Sequence, residues 1–270
     1  MFCVCALFYG GHADLCGMLL DSLIHYGDLR YVDGYRFGLN EASPATRELV
    51  FRFCEQREQA CRVYEPARNV GKYSLMSQMF HDPEAPITSP AIMWFDDDSR
   101  LNGESMDVFK RAANLLSNGS DMLGDIWQKG FEGKQREWIQ SRPWYTGVPW
   151  AKNKKSRDCF RFATGGWWAI KTEIIRRWGW PDPELRHNGG DVSLGELLRQ
   201  QRLILTSFKK GLWINANKTG GYSNAPRRGL TEAPAGKHWA PGQSPDLSHY
   251  EYDLKVYTFG QSAKATDNDT

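Results

Sequence analysis

Ala91-Ile92-Met93-Trp94-Phe95-Asp96-Asp97-Asp98-Ser99 sets five apolar residues directly before three carboxylates. An apolar run of this length reads as a buried strand, and carboxylates at its end belong at an opening, since charged groups are rarely core. In open α/β sheets the carboxyl ends of strands face the ligand crevice. Asp96 and Asp98 are two apart, so in an extended chain they project to one side. Two hard oxygen donors on one side suit Mg2+ or Mn2+, which bind through one or two carboxylates and take further ligands from phosphates. The plainer alternative is a polar turn capping the next helix, because Asp and Ser are common at both places.

Upstream of this run the pattern alternates regularly. Phe2–Tyr9 reads as a strand and Ala13–His25 as a helix, with Leu15, Met18, Leu19 and Leu23 at helical spacing. Tyr31–Leu39 is the second strand; Ser43-Pro44 opens a helix over Pro44–Arg57 by the N-cap and first-turn proline rule. Arg62–Pro66 is a short third strand, followed by a helix over Ser74–His81. Strand-helix repetition of this kind predicts an α/β fold with a mainly parallel sheet flanked by helices.

Downstream, Gly103–Leu116 reads as helix, Met122–Gln128 as strand, Ala163–Lys171 as strand, and Thr172–Trp178 as a helix capped by Thr172. Val192–Gln201 is an amphipathic helix, Leu203–Leu205 and Leu212–Ile214 are late strands, and Gly220–His249 is rich in Gly and Pro. No linker divides the chain, so one domain is expected over residues 1–260, with a polar, disordered tail at Gln261–Thr270.

With 34 basic and 32 acidic residues in 270, the net charge of +2 selects neither a strongly cationic nor an acidic partner. One segment departs from this balance. Trp127–Phe162 carries nine basic residues against three acidic ones, interleaved with eight aromatic rings. It reads either as a solvated hairpin with anchoring rings or as a surface for a polyanion or a sugar. Met1–Gly10 is apolar but short and lacks a basic leader, so it is a first strand rather than a signal peptide. No stretch approaches the ~18 apolar residues of a membrane span. The six cysteines form no C-x-x-C pair, which points away from zinc ribbons and towards reduced thiols in a cytoplasmic protein.

Several pieces, in order, resemble the GT-A glycosyltransferases of the family-2-like type. They are the first strand, Gly38-Leu39-Asn40, Arg68-Asn69-Val70-Gly71-Lys72, Phe95-Asp96-Asp97-Asp98, Gly165-Gly166-Trp167, Gly179-Trp180-Pro181, and Gly189-Gly190-Asp191 with Leu194-Gly195. The match spans roughly residues 2–200. The resemblance implies a GT-A (Rossmann-like) sheet with a donor half over about 1–100 and an acceptor half over about 101–260. It implies that Asp96 and Asp98 hold Mn2+ or Mg2+ on the diphosphate of a nucleotide-sugar, a UDP-sugar first among donors, and that Asp191 is the base acting on the acceptor hydroxyl. A further metal ligand is expected late in the chain, and His238 is chosen over His187 and His249.

The residues agree with that chemistry. Glycosyl transfer builds negative charge on a departing diphosphate, so a metal and cations must neutralise it. Lys72 and Arg68 are candidate phosphate partners, Asn40 and Asn69 candidate partners of base and ribose, and Tyr9 a stacking face. Each has a plain alternative as a turn residue. Lys237, Arg227 and Arg228 lie on a stretch suited to ordering over bound donor. The acceptor is either a cytosolic saccharide precursor or, from the basic aromatic segment, a hydroxymethylated base in double-stranded DNA, as in viral DNA modification in a host cytoplasm. Two other classes compete: a nucleotide-sugar binding module without transfer, and a metal-dependent nucleotidyltransferase.

Overall fold

The computed structural model describes residues 1–104, 107–131, 134–182, 185, 189–214 and 254–260. Its chain order begins β1 (Phe2–Gly10), α1 (Ala13–Tyr26), β2 (Val32–Ala42), α2 (Pro44–Glu55), β3 (Ala60–Pro66), α3 (Lys72–Phe80) and β4 (Ala91–Asp96). It continues β5 (Arg100–Leu101), α4 (Val108–Ser117), β6 (Met122–Lys129), α5 (Gln135–Gln140), β7 (Ala151–Lys152), β8 (Asp158–Lys171) and α6 (Thr172–Trp178). Last come α7 (Gly190–Gln200), β9 (Leu205–Ser207), β10 (Leu212–Trp213) and β11 (Leu254–Phe259).

The main sheet runs β11-β3-β2-β1-β4-β8-β6-β9, with β7 attached to β8. Strands β3, β2, β1 and β4 are parallel, while β8 runs antiparallel between β4 and β6. This is the expected α/β architecture. Strand alternation sends Cys3, Cys5, Leu7, Ile92 and Trp94 to one face, against α3, α5, α6 and α7. It sends Phe2, Val4, Ala6, Phe8, Met93 and Phe95 to the other, against α1, α2 and α4. Parallel strands buried on both faces explain why β1 and β4 are apolar at nearly every position.

Several boundaries differ from the sequence reading. Met18 lies on the solvent side of α1, where Cys16 and Leu20 fill the core instead. Helix α4 begins at Val108, not Gly103. Strand β8 starts five residues early, at Asp158, because its outer half pairs with Ile126–Lys129 as a hairpin extension of the sheet. Thr172 does not cap α6; it is the first helical residue, and its hydroxyl donates to the Ser89 carbonyl. The late strands fall at Leu205–Ser207 and Leu212–Trp213. Strands β5 and β11 were not expected. The segments 220–249 and 261–270 lie outside the described residues.

The β6–β8 ladder slips once. Gly124 faces Trp168 but Ile126 faces Ala163, so Thr164–Trp167 of β8 spans the interval that Asp125 alone spans on β6. Helix α7 packs across β8 just beyond this bulge. An alanine Cβ at Gly195 would fall 2.4 Å from the Phe162 Cβ and 2.5 Å from the Arg161 carbonyl oxygen. Strand backbone cannot yield as a flexible side chain would, so Gly195→Ala is expected to cost about 2 kcal/mol or more. Thermal unfolding followed by circular dichroism should show Tm lower by several degrees; an unchanged Tm would mean that α7 slides off β8 without penalty.

Candidate functional site

Parallel register brings the strand ends together. Leu7 pairs with Asp96 and Tyr9 with Asn40, so the last residues of β1, β2 and β4 form one edge. Trp94 and Asp96 are two apart on β4, which places Asp96 on the α3/α7 face beside the partly buried Tyr9. Asp97 sits on the opposite side with α1, where burial of the Cys16 thiol, with the Asp97 charge added, pushes that thiol up. The strand ends at Asp96; Asp97-Asp98 is a turn closed by the Ser99 N–H on the Asp96 carbonyl at 3.0 Å. The extended alternation applied to Asp98 from sequence therefore stops two residues before it, at Asp96, and Asp98 is enclosed at 1% exposure.

Asp96 is gripped on both oxygens. The Lys72 ammonium donates to Oδ1 at 2.6 Å and to Oδ2 at 2.9 Å, and the Trp94 indole N–H donates to Oδ1 at 2.8 Å. Lys72 also donates to the Gly165 carbonyl at 3.3 Å. A Cβ built on Gly165 would lie 3.3 Å from Lys72 Nζ and 3.7 Å from Asp191 Oδ2, so the ammonium and the second carboxylate flank the same glycine. Four elements thus converge: Asp96 from β4, Lys72 from the first turn of α3, Gly165 from the β8 bulge and Asp191 from the first turn of α7.

Asp191 is not an N-cap. Gly189 holds that position, and the Asp191 carboxylate accepts the Val192 N–H at 2.9 Å. Its backbone N–H donates to the Tyr73 hydroxyl at 3.3 Å. Gly190 admits this contact, because a Cβ there would penetrate the Tyr73 ring at 2.2 Å. Burial pushes the Asp191 carboxyl above the usual range, the Lys72 charge pulls it back, and the Asp96 charge adds to the rise. A carboxylate so placed is a stronger base than an exposed one.

Asn40 and Asn69 work on the loop that carries Lys72. Asn40 Nδ2 donates to Asn69 Oδ1 at 2.9 Å, Asn40 Oδ1 accepts the Val70 N–H at 3.0 Å, and Asn69 Oδ1 also accepts the Gly71 N–H at 2.9 Å. The far end of α3 is held by Arg36 of β2, which donates to the carbonyls of Met79 and Ala85. Arg68 is exposed. His238, its rivals His187 and His249, and Arg227, Arg228 and Lys237 lie outside the described residues.

Among the described residues no three His, Cys, Asp or Glu side chains gather into an all-protein metal cage. Asp96 and Asp98 are hard oxygen donors, and two carboxylates fit a divalent ion that completes its shell with phosphate oxygens and water.

Most rings of the basic segment are internal. Trp138, Trp144, Trp150, Phe160 and Phe162 are buried in the α7-side core, with Arg142 over Trp138 and Arg199 over Trp150. Phe131 and Tyr145 are half-buried, and Trp127 is exposed at 57%, its indole N–H fixed by Asp125 Oδ2 at 3.0 Å. It rims an open groove of about 700 Å3 lined also by Ile126, Gln128, Lys152, Asn153, Lys154 and Arg161.

This arrangement of a mixed, mainly parallel sheet and flanking helices is the GT-A glycosyltransferase fold. The mannosyltransferase PcManGT from Pyrobaculum calidifontis, solved with GDP-Man and Mn2+, superposes with a TM-score of 0.56 at 15% identity over 81% of this chain and 58% of its own. TarS 1-349 from S. aureus superposes with a TM-score of 0.54 at 16% identity over 80% and 60%, and its UDP complex with 0.52 at 16% over 78% and 59%. This chain therefore spans about three fifths of the length of these structures. No protein-family model matches the sequence, and no curated protein matches it. No helix among the described residues is long and apolar enough to cross a membrane.

Replacing Asn40 by alanine leaves the buried Val70 N–H and one face of Asn69 without their partner. Asn40→Ala is expected to destabilise the protein by about 1–3 kcal/mol and to loosen the Arg68–Lys72 loop, read as faster amide exchange at Val70 and Gly71. Unchanged exchange there would show that the loop holds itself.

Proposed function

We propose that this protein is a metal-dependent, inverting glycosyltransferase that moves a sugar from a nucleotide-sugar to an acceptor hydroxyl. The convergence of Asp96, Lys72 and Asp191 around Gly165, at the carboxyl edge of a GT-A sheet, carries this reading. The nucleotide complexes of the structural neighbours, GDP-Man with Mn2+ in one and UDP in another, support the donor class. In this reading Asp96 and Asp98 hold a divalent cation, with His238 as a further ligand, and a UDP-sugar is the first donor to try. Bound there, the cation would neutralise charge on the departing diphosphate.

Lys72 and Arg68 add positive charge at the same edge, Tyr9 offers a ring face to the base, and Asn40 and Asn69 hold the loop that presents Lys72. Asp191 takes the proton of the acceptor hydroxyl as its oxygen bonds the anomeric carbon, while the bond to the diphosphate breaks and nucleoside diphosphate leaves. The donor half over about 1–100 and acceptor half over about 101–260 follow as one catalytic domain.

The groove beside Trp127 supports an anionic acceptor. Lys154 and Arg161 line it, Lys152 beside them is paired with Asp158, and the Trp127 ring, its indole N–H held by Asp125, presents an exposed face. Hydroxymethylated double-stranded DNA is the acceptor this charge favours; a cytosolic saccharide precursor is the other.

Incubation with UDP-, GDP- and other sugar nucleotides plus Mn2+ should release nucleoside diphosphate only when acceptor is supplied. Release of pyrophosphate would identify a nucleotidyltransferase, and donor binding without release a binding module. Asp98→Ala is expected to abolish metal-dependent donor binding. Asp191→Asn should lose about 10²–10⁴-fold in kcat with donor affinity retained; undiminished turnover would remove Asp191 from the base role.

The pH dependence has a definite sign. Asp191 must be ionised to act and its pKa is raised, so activity falls with decreasing pH, starting above the ordinary carboxylate range. The folded state binds this proton more tightly than the unfolded chain, so ionised Asp191 weakens folding above its raised pKa and the loss is relieved as pH falls through it. Asp191→Asn should therefore match or exceed wild type in Tm at neutral pH. Binding to hydroxymethylated duplex DNA should weaken steeply with salt and drop on Arg161→Ala with Lys154→Ala; salt-independent binding would favour the saccharide.

A further inference from the structure

Lys72 holds the place that a metal ion on Asp96 would need. Its ammonium reaches both carboxylate oxygens, and the Trp94 N–H takes a further site on Oδ1. A carboxylate offers about four lone-pair sites, so three of them are committed. The pair is also poorly hydrated, with side-chain exposures of 14% for Lys72 and 22% for Asp96. Lysine carries its charge on a flexible four-carbon stem, here running past the faces of Tyr73 and Trp94, with Nζ 5.8 and 5.6 Å from the two ring centres.

We propose that Lys72 is an internal counter-ion that occupies Asp96 until a nucleoside diphosphate draws it away, so that metal and donor bind as a coupled pair. This rests on the metal-dependent reading above. With neither ligand, Lys72 neutralises Asp96 and opposes a second cation. When a diphosphate enters at the first turn of α3, the ammonium turns to it and Asp96 is left needing a cation. Each ligand thereby improves the site for the other, and the coupling is reciprocal. Lys72 is a phosphate contact in the loaded state and a gate on the carboxylate in the empty one.

Isothermal titration with MnCl2 alone, and with UDP or GDP in EDTA, separates these roles. Lys72→Met keeps the stem between the rings and removes the charge; Lys72→Gln retains a donor to Asp96 and guards against misfolding. Without nucleotide, both variants are expected to bind Mn2+ at least about tenfold more tightly than wild type. Lys129→Met, which removes a charge that acts on Asp191, should stay within about twofold of wild type. Without metal, both Lys72 variants should bind UDP or GDP at least about tenfold more weakly.

Equal Mn2+ affinity in wild type and the Lys72 variants, or an equal gain in Lys129→Met, overturns the inference and leaves the metal-dependent reading standing. Absence of Mn2+ binding to wild type even with UDP or GDP overturns both.

Discussion

The carboxyl edge of this sheet depends on a partly buried ion pair. Charges taken out of water need more than each other, because desolvation offsets most of the Coulomb gain. Here Asp96 receives the Trp94 indole N–H and Lys72 finds the Gly165 carbonyl. Those two partners tie the pair to the rest of the molecule. Trp94 stacks on Trp168 at 5.8 Å and 14°, and Trp168 meets Trp180 and Phe80, so an aromatic layer between β4, β8 and α3 fixes the indole that orients the carboxylate. Gly165 brings the β8 bulge to the same point. Position 94 therefore needs an indole for its hydrogen bond as much as for its bulk, which a phenylalanine would not supply.

Support extends outward by hydrogen bonds that never reach the cleft. Asn40 and Asn69 brace the loop before α3, and Arg36 braces its far end. Lys72 is thus presented by a helix secured at both ends to β2. Tyr73, the next residue, meets Asp191 from below and links the first turn of α3 to the first turn of α7. The two helix starts are coupled by one hydroxyl, which helps Lys72 and Asp191 keep a fixed spacing.

The parallel core was legible because its signals are local. Apolar runs in β1 and β4, Ser43-Pro44 at the start of α2 and the periodicity of α1 require no knowledge of distant residues. Convergence of the motif residues on one edge followed from the parallel order. What escaped was non-local. Strand β11 pairs with β3 across nearly two hundred residues and is half-exposed, so its mixed polar sequence carries no burial pattern. Rings among cations in Trp127–Phe162 were compatible with anchoring rings in a hairpin or with a binding surface; most are core, because arginine lays its planar head over a ring face and still reaches water. The Lys72–Asp96 bond was also hidden: a lysine near a phosphate site and a carboxylate near a metal site were read as two separate contacts, and only their packing against Gly165 joins them.

The slip between β6 and β8 divides strand β8 into two parts with different obligations. From Trp167 onward the strand is locked to β4 by stacked tryptophans and cannot change length. Before Ala163 it is a hairpin arm that pairs only with β6 and β7. The four residues between absorb the difference in length, and one of them, Gly165, is itself pinned by the Lys72 ammonium on its carbonyl. Length and charge can therefore vary at the tip, where β7 pairs with Asp158 and Cys159, but not over Phe160–Phe162, whose two phenylalanine rings are buried and whose backbone lies against Gly195.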